Sequence, residues 1–443
     1  MGGARMSVED ARAVTPSCRS ANLVEAFAAS MELLGPFEAR PTIAVAVSGG
    51  ADSLALALLA RDWVAHRGGQ VQALVVDHGL RAESAAEAAA TVEQLGRAGI
   101  PAALLDLVGL ARGPALAERA RIARYEALAA ACRSRGWLHL LLGHHAADQA
   151  ETLAMRVLRQ SSSRGLAGMA ALSETRDVRL LRPLLAIEPA ALRQFLRARE
   201  VAWVEDPSNR DQSALRPRLR QRLGGSGSDS LSFAACHAGL ARARDEAAIA
   251  AELAEIATLR PEGFAYVAMS PPGARRISIG ALAALIQTIS GAAYPPSTAQ
   301  LVDLAANLRL ATLAGVRIVR AGSGVILARE TAAMAGPIEA RAGARWDGRM
   351  RLTSRVPLPK GTTIGALGDQ AARFRKPTQL PSAVLRTLPA LRCGKDLLAV
   401  PHLSYVNDGG PTGVAFCFDP PRPAGGACFR PIRVAGQTDA ERY

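Results

Sequence analysis

The chain has 443 residues, more than one compact core accommodates, and this length predicts two or three domains. Hydrophobic residues make up 49% of it and charged residues 21%, a composition typical of globular proteins that excludes a disordered chain. No apolar run approaches the roughly 18 uninterrupted residues that a membrane helix needs. The first residues lack the apolar core of a secretory signal. We therefore expect a cytoplasmic protein without a membrane partner.

Basic charge is the most informative feature of the composition. Lys and Arg number 53 against 39 Asp and Glu, which gives a formal net charge of +14. Such an excess favours binding to a polyanion, in particular a nucleic acid. Codon usage is the alternative explanation, because almost all of the basic residues are Arg. The six cysteines are scattered without a CxxC pair, so neither a disulfide framework nor a zinc site is expected.

From residue 42 to about residue 205, short apolar runs alternate with amphipathic segments. The runs that indicate buried parallel strands are 42–47, 71–76, 102–108, 138–143 and 179–185. The segments with helical periodicity are 54–67, 83–98, 115–135, 148–159 and 189–199. This alternation predicts an α/β fold, with an open, mostly parallel sheet and helices on both faces. Ligands of such sheets bind beyond the carboxyl ends of the strands, which points to the loops after residues 47, 76 and 143.

Composition also predicts how the chain is divided. The Gly/Ser-rich stretch at 224–230 is predicted to be a linker that follows a first domain at 22–223. A mainly helical middle domain is expected at 231–335, and a small α+β C-terminal domain at 345–418. The Pro/Gly-rich tail at 419–443 is expected to be irregular.

A glycine-rich loop joins the first predicted strand to the first predicted helix. Its residues are Ser48, Gly49, Gly50, Ala51, Asp52 and Ser53. Adjacent glycines let the backbone approach a phosphate, and the unpaired N–H groups at the helix start point toward it. The serine hydroxyls suit phosphate oxygens, and Asp52 suits a Mg²⁺ ion between those oxygens. An ordinary N-capped helix is the alternative, but the position after the first strand of an alternating sheet favours a phosphate loop.

Two further segments carry candidate ligand-binding residues. Asp77 and His78 follow the second strand, where a polar turn at Gly79 is the alternative interpretation. Arg121 and Arg124 are three residues apart in a predicted helix, so they share a face and could both contact an anion. An arginine pair on a helix is, however, more often solvated surface.

Acidic residues cluster after the fourth predicted strand, in GHHAADQAET. Asp148, Glu151 and Thr152 share one face of a predicted helical turn, next to His144 and His145. The two carboxylates could hold an ammonium group. A metal site is the weaker alternative, because no third soft ligand is evident, and a favourable interaction with the helix dipole is a purely structural one.

A basic strip follows the DPSN turn of the first domain. Its members are Arg216, Arg218 and Arg220. They could contact phosphates of ATP or RNA, and a solvated basic stretch is the alternative.

The order and spacing of these motifs resemble one protein family. The segments SGGADS, VDHGLR, ARIARYEAL, GHHAADQAET, RGLAGM, LLRPLL and DPSN with its arginines are similar to those of tRNA(Ile)-lysidine synthetases, which are PP-loop ATP pyrophosphatases. The resemblance covers about residues 42–220, with a weaker echo at 385–406. It implies a Rossmann-like PP-loop fold and a ligase that attaches free L-lysine to the wobble cytidine of the CAU-anticodon isoleucine tRNA. A homodimer is also implied.

In that family, ATP adenylates the cytidine with release of pyrophosphate, and the lysine ε-amine then displaces AMP. The resemblance implies that the 48–53 loop binds the ATP phosphates, with Asp52 on Mg²⁺. Asp77 and His78 would lie near the base or the ribose.

The resemblance also implies roles for the acidic and basic candidates. Asp148 and Glu151 would recognise lysine, with His144 beside them, and either His144 or His145 is a candidate acceptor for the proton of the lysine amine. The arginines that would lie near the nucleotide or the tRNA are Arg121, Arg124, Arg216, Arg218 and Arg220.

Three departures from the family pattern bear on activity. Ala147 replaces the first Asp of a pair, residues 160–162 are Gln-Ser-Ser in place of a GSG turn, and Pro217 lies between two arginines. The loop and the carboxylates are retained, so we expect an active enzyme. The alternatives are another PP-loop tRNA-modifying enzyme, such as a thiolase, and a catalytically impaired tRNA-binding module. Thiolases that act on cytidine carry CxxC pairs, which this chain lacks.

Overall fold

The computed structural model describes residues 16–79, 83–107, 113, 115–161, 163–205, 215–269, 276–376, 378–427 and 429–431. The side chains of residues 16–22, 215–217 and 220–229 fall outside this description. Two compact units form the chain. One unit comprises residues 1–244 and 429–443, and the other comprises residues 245–428.

A six-stranded sheet forms the centre of the first unit, with the order β3-β2-β1-β4-β6-β5. Its strands are β1 (Thr42–Val47), β2 (Gln70–Asp77), β3 (Ala102–Asp106), β4 (His139–Leu141), β5 (Leu172–Glu174) and β6 (Arg179–Leu181). All neighbouring pairs are parallel except β5–β6. The predicted open, mostly parallel sheet is confirmed. The antiparallel edge strand β5 was not predicted, and the fifth predicted run ends early because Pro183 cannot donate to a ladder.

Helices connect the strands in the predicted alternation. They are α1 (Pro16–Leu34), α2 (Ala51–Ala65), α3 (Ser84–Arg97), α4 (Leu116–Arg135), α5 (Ala146–Leu158), α6 (Ser163–Leu166), α7 (Pro189–Arg197) and α8 (Leu215–Ile256). The central strand β1 is covered on both faces. Ile43 and Val45 pack in one cluster with α1, α2 and α7, whereas Ala44 packs in another with Leu74, Leu140 and Leu128 of α4. This two-sided burial explains why β1 is an uninterrupted apolar run.

The linker predicted at 224–230 is wrong, because α8 runs through this stretch. Each glycine in a helix costs about 1 kcal/mol relative to alanine. The helix continues for many residues on the C-terminal side, with good helix formers in RARDEAAIAAELAEI, and propagation over a long segment offsets such local costs. Pro217 lies in the first turn of α8, where its missing N–H would have no helical partner.

The second unit contains three antiparallel sheets. The first has the order β7-β8-β11-β10-β9, the second β12-β15-β16-β17-β18, and the third β13-β14-β19. Their strands are β7 (Ala257–Arg260), β8 (Phe264–Ala268), β9 (Ala311–Leu313), β10 (Val316–Ala321), β11 (Gly324–Arg329), β12 (Ile338–Glu339), β13 (Arg345–Trp346), β14 (Met350–Ser354), β15 (Thr362–Ala366), β16 (Pro389–Cys393), β17 (Asp396–Val400), β18 (Tyr405–Val406) and β19 (Val414–Phe418). The helices are α9 (Ile279–Ser290), α10 (Thr298–Ala306) and the short α11 (Ser382–Leu385).

The region predicted as the middle domain thus contains helices, as expected, together with a five-stranded sheet that was not predicted. Both that region, from residue 245, and the predicted domain at 345–418 lie in this one unit. In the tail, residues 420–427 form neither helix nor strand, and Arg430 bridges Leu172 of the first unit. The rest of the tail lies outside the described residues. None of the helices in the described ranges is long and apolar enough to cross a membrane.

Gln160 has a strained backbone conformation in the altered turn after α5. It adopts a left-handed conformation, with φ of +50°, at a position where the family pattern has glycine. Left-handed geometry costs a non-glycine residue roughly 1–2 kcal/mol. Glycine removes this cost, but it also raises the conformational entropy of the unfolded chain, which offsets part of the gain in stability.

We expect Gln160→Gly to raise the free energy of unfolding by about 1 kcal/mol in urea titrations. Arg159→Gly is the matched control, because φ of Arg159 is −88° and glycine should destabilise there. A loss of stability in both variants would contradict the assignment of strain.

Candidate active site

The phosphate loop lies between β1 and α2, and its glycines have different functions. Gly49 has φ of +80°, and a Cβ atom there would lie 2.6 Å from Thr91 Oγ1. Gly50 is the N-cap of α2, and glycine has no side chain that could cap the first N–H groups of the helix. This geometry favours a phosphate-binding loop over the alternative of an ordinary capped helix.

The two serines stabilise the loop. The Ser48 N–H donates to Ser53 Oγ at 3.1 Å, and the Ser53 hydroxyl donates to the Gly50 carbonyl oxygen at 2.9 Å. Because its proton is used within the loop, Ser53 acts first as a structural residue. Ser48 is exposed, and its hydroxyl lies 3.3 Å from Ser53 Oγ. Ser48 is thus the better placed of the two to contact a ligand.

The end of β4 lies against the first turn of α2. A Cβ atom on Gly143 would be 3.4 Å from the Ser53 nitrogen, so glycine permits this close approach. The loops that follow β1 and β4 are consequently neighbours at the carboxyl edge of the sheet. This is the edge where the sequence predicted a ligand site.

His145 connects the phosphate loop to the acidic cluster. It is the N-cap of α5, where its Nδ1 accepts from the Asp148 N–H at 3.4 Å and Asp148 Oδ2 accepts from the His145 N–H at 3.1 Å. In the neutral ring the proton is then on Nε2. That nitrogen lies 3.4 Å from Asp52 Oδ2 and 3.5 Å from Asp148 Oδ2. The buried imidazole therefore holds two carboxylates from neighbouring helices at one site.

Asp52 has a carboxylate oxygen suited to a cation. Its Oδ1 is buried and has no hydrogen-bond partner among the described residues. Mg²⁺ typically takes one or two protein carboxylates and completes its shell with substrate phosphates and water. No group of three or more His, Cys, Asp or Glu residues that could hold a metal ion occurs in the described part of the chain.

The acidic cluster on α5 lies at two depths. Glu151 is 2% exposed, whereas Asp148 is partly exposed, and the Thr152 hydroxyl donates to the Asp148 carbonyl oxygen at 2.7 Å. Gln149, from the same turn, exchanges two hydrogen bonds with the backbone of Met169, at 3.2 and 2.8 Å. This exchange holds the segment that follows α6 against α5. The sequence predicted that Asp148 and Glu151 would lie near the phosphate loop. Asp148 does, because its carboxylate and that of Asp52 both lie within 3.5 Å of His145 Nε2.

Asp77 ends β2 at the same edge of the sheet, two residues beyond the Val47–Val75 pair. Its Oδ1 accepts from the Gly79 N–H at 2.9 Å, and hydrogen bonds from Ser84 and Gly79 lower its pKa. The carboxylate therefore closes the polar turn that was the alternative interpretation. Its role with His78 in nucleotide binding stays a prediction.

The arginine pair of α4 contacts an aromatic residue. The guanidinium groups of Arg121 and Arg124 lie 5.1 and 5.8 Å from the centre of the Tyr125 ring. Burial lowers the pKa of Arg124, whereas Arg121 is exposed, so only Arg124 departs from the alternative of solvated surface. Of the basic strip, Arg218 is exposed on α8, while the side chains of Arg216 and Arg220 lie outside the described residues.

His144 is the neighbour of these arginines. Burial, followed by the charges of Arg182, Arg121, Arg124 and His145, lowers the pKa of His144 to about 3. The ring is therefore neutral at pH 7 and a weak base. Sequence reasoning had placed His144 in the site and left His145 only as an alternative proton acceptor. The spacing of His145 and Asp148, from N-cap to the third helical position, is the signal that could have identified the connecting residue.

The depressed pKa of His144 predicts acid lability. The unfolded chain takes up a proton near the ordinary pKa of 6.5, whereas the folded chain does not until about pH 3. The contribution of neutral His144 to the free energy of unfolding is thus complete above pH 6.5 and is lost as the pH falls toward 3. Between pH 7 and pH 5 the wild type should lose about 2 kcal/mol more stability than His144→Gln, which does not titrate. Urea unfolding of both proteins at the two pH values checks this, and equal losses would contradict it.

The chain is similar to known proteins along most of its length. A family model described as a PP-loop domain matches residues 22–226. A tRNA(Ile)-lysidine synthase from Ruegeria pomeroyi is 37% identical over 393 residues, which cover 85% of this chain and 92% of that protein. Another, from Mesorhizobium japonicum, is 35% identical over 382 residues, which cover 81% of this chain and 83% of that protein.

Similarity to solved structures is weaker. A U34-tRNA thiolase from Methanococcus maripaludis aligns at 18% identity with a TM-score of 0.43, covering 50% of this chain and 80% of that one.

Proposed function

This chain belongs to the tRNA(Ile)-lysidine synthase family, and on that premise we propose that it ligates free L-lysine to the wobble cytidine of the CAU-anticodon isoleucine tRNA. Membership makes it a tRNA-modifying ligase whose PP-loop domain uses ATP. The finer reaction is supported by one observation above the others. His145 lies 3.4 Å from Asp52 at the phosphate loop and 3.5 Å from Asp148 in the acidic cluster, so activation and amine binding can share one site.

Adenylation is the first proposed step. The carbonyl oxygen of the cytosine attacks the α-phosphorus of ATP and forms a P–O bond, while the bond from the α-phosphorus to the bridging oxygen breaks and pyrophosphate leaves. Backbone N–H groups of the 48–53 loop and the hydroxyl of Ser48 would bind the phosphate oxygens. A Mg²⁺ ion on Asp52 would offset the charge that develops on them, which is the chemistry that the buried Oδ1 of Asp52 suits.

Lysine transfer is the second proposed step. Asp148 and Glu151 would bind the ε-ammonium group, and the amine must lose a proton before its nitrogen attacks the activated ring carbon and AMP leaves. The low pKa of His144 disfavours it as the proton acceptor. We assign His144 a hydrogen-bonding role as a neutral ring.

Binding of the tRNA is supported by charge. The net charge of +14 and exposed basic residues, such as Arg218 on α8, suit a polyanionic substrate. Arg216 and Arg220 stay predictions, as do the homodimer and the cytoplasmic location.

Two alternatives are less well supported. A thiolase of the iron–sulfur type needs clustered cysteines, and this sequence has no CxxC pair. A catalytically impaired binding module would be expected to lose the geometry of the loop, yet Gly49 retains φ of +80° and Asp52 retains its position beside His145.

Pyrophosphate release tests the proposal. The full-length chain is incubated with ATP, Mg²⁺ and unmodified isoleucine tRNA, with or without lysine. Multiple turnovers should require lysine, and ornithine, which is one methylene shorter, should replace it poorly. Turnover that requires a sulfur donor would indicate a thiolase, and the absence of release under every condition would indicate the impaired module.

Asp52→Asn tests the assigned role of the loop carboxylate. Removing the negative charge should lower the rate of pyrophosphate release at least 100-fold, because the charge on the phosphates is no longer offset. Affinity for tRNA, measured by filter binding, should stay within about twofold. Asp62→Asn is the matched control, since Asp62 lies on the same helix and pairs with Arg61. Wild-type turnover in Asp52→Asn would remove Asp52 from the reaction.

A further inference from the structure

Three arginines lie around one tyrosine. Arg121 Nη2 donates to the Tyr125 hydroxyl oxygen at 3.4 Å. The guanidinium group of Arg124 lies 5.8 Å from the centre of the Tyr125 ring, and Arg182 interacts electrostatically with the Tyr125 side chain. Arg121 and Arg124 belong to α4, whereas Arg182 directly follows β6. The sequence singled out the α4 pair as candidates, whereas Tyr125 and Arg182 appeared only within the family motifs ARIARYEAL and LLRPLL.

Arg182 is held in a fixed position. Its Nη1 donates to the Ala170 carbonyl oxygen at 2.8 Å and lies 3.1 Å from Ser173 Oγ. Its own N–H donates to the Ala171 carbonyl oxygen at 2.8 Å. The Nε atom is buried and has no acceptor among the described residues. A guanidinium that is anchored at one end, with a buried donor unused, is ready to bind a further acceptor.

The cluster has no neutralising carboxylate. Within the described ranges, none of the three arginines forms an ion pair with Asp or Glu, although many arginines elsewhere on the surface do. The three guanidinium groups repel one another, and the partial burial of Arg124 and Arg182 weakens the screening of their charges by water. An anion bound among them would offset this repulsion.

The cluster lies next to the candidate active site. The charges of all three arginines act on His144, and the adjacent His145 contacts Asp52 and Asp148. Arg182 follows β6, which is the neighbour of β4 in the sheet. The basic cluster thus occupies the carboxyl edge of the sheet on the side of β6, and the phosphate loop occupies it at β1.

We propose that Arg182 completes a phosphate-binding site with Arg121 and Arg124, and that Tyr125 is the residue that positions them. Phosphate fits because it is the anion common to both substrates of the proposed reaction, and its oxygens match the fork of donors on a guanidinium. The phosphate belongs either to ATP or to the tRNA backbone. This inference rests on the proposed function for the identity of those substrates.

Equilibrium binding in two separate arms tests the site. One arm measures the Kd for ATP with Mg²⁺ and without tRNA, and the other measures the Kd for the tRNA without ATP. Arg182→Gln should weaken binding at least 10-fold in one arm, because a charge-assisted contact is lost. Loss in the ATP arm assigns the triphosphate. Loss in the tRNA arm, with a shallower dependence of log Kd on log salt, assigns a backbone phosphate.

Two further variants keep the test independent of folding. Arg182→Lys retains the charge without the fork and should lose less affinity than Arg182→Gln. Tyr125→Phe retains the ring but removes the hydroxyl that accepts from Arg121, and should weaken the same arm about 3- to 10-fold. Arg133→Gln is the matched control, since Arg133 lies on the same helix, is exposed and pairs with Asp177. It should leave both Kd values within twofold.

The inference would be overturned if a folded Arg182→Gln bound both ATP and tRNA with wild-type affinity. If Arg182→Gln does not fold, wild-type affinity of Arg182→Lys and Tyr125→Phe in both arms would overturn it. The proposed function fails separately, through the absence of lysine-dependent pyrophosphate release by the wild type. The two binding arms do not depend on that result, because neither contains lysine.

Discussion

The contact of His145 with Asp52 and Asp148 is the constraint on which the candidate site depends. Two like-charged carboxylates from different helices lie within reach of one buried ring nitrogen. The N-cap geometry of α5 fixes that nitrogen, because Nδ1 is used by the Asp148 N–H and the remaining ring proton must be on Nε2. The imidazole of His145 therefore lies between the place where phosphates would be activated and the place where an amine would bind.

Sequence reasoning succeeded where the signal is local. The apolar run of β1, the glycines that follow it and the alternation of strands and helices together predicted the sheet and the edge at which Asp52 and Asp148 meet. This works because a parallel strand buried on both faces requires a continuous apolar run, and the carboxyl ends of such strands lie on one edge. Gly49 illustrates the same point, since its positive φ and its approach to Thr91 leave no room for a side chain.

Sequence reasoning failed where the outcome depends on contacts between distant segments. His144 and His145 are adjacent and chemically identical, and only the position of the helix start decides that His145 faces the carboxylates while His144 faces arginines. Arg182 is far from Tyr125 along the chain, so no periodicity links them. The 224–230 stretch was predicted to be a linker from composition alone, whereas the length of α8 decides its conformation.

Opposite charges at this edge of the sheet act on different histidines. Asp52 and Asp148 lie within 3.5 Å of His145 Nε2, whereas the charges of Arg121, Arg124 and Arg182 act on His144. If the acids and the arginines formed ion pairs, each would cancel the charge that the other presents to a substrate. Burial of an uncharged His144 allows a cation-binding surface and an anion-binding surface to persist a few residues apart. The proposed reaction, between an ammonium group and phosphate-bearing substrates, would use both surfaces.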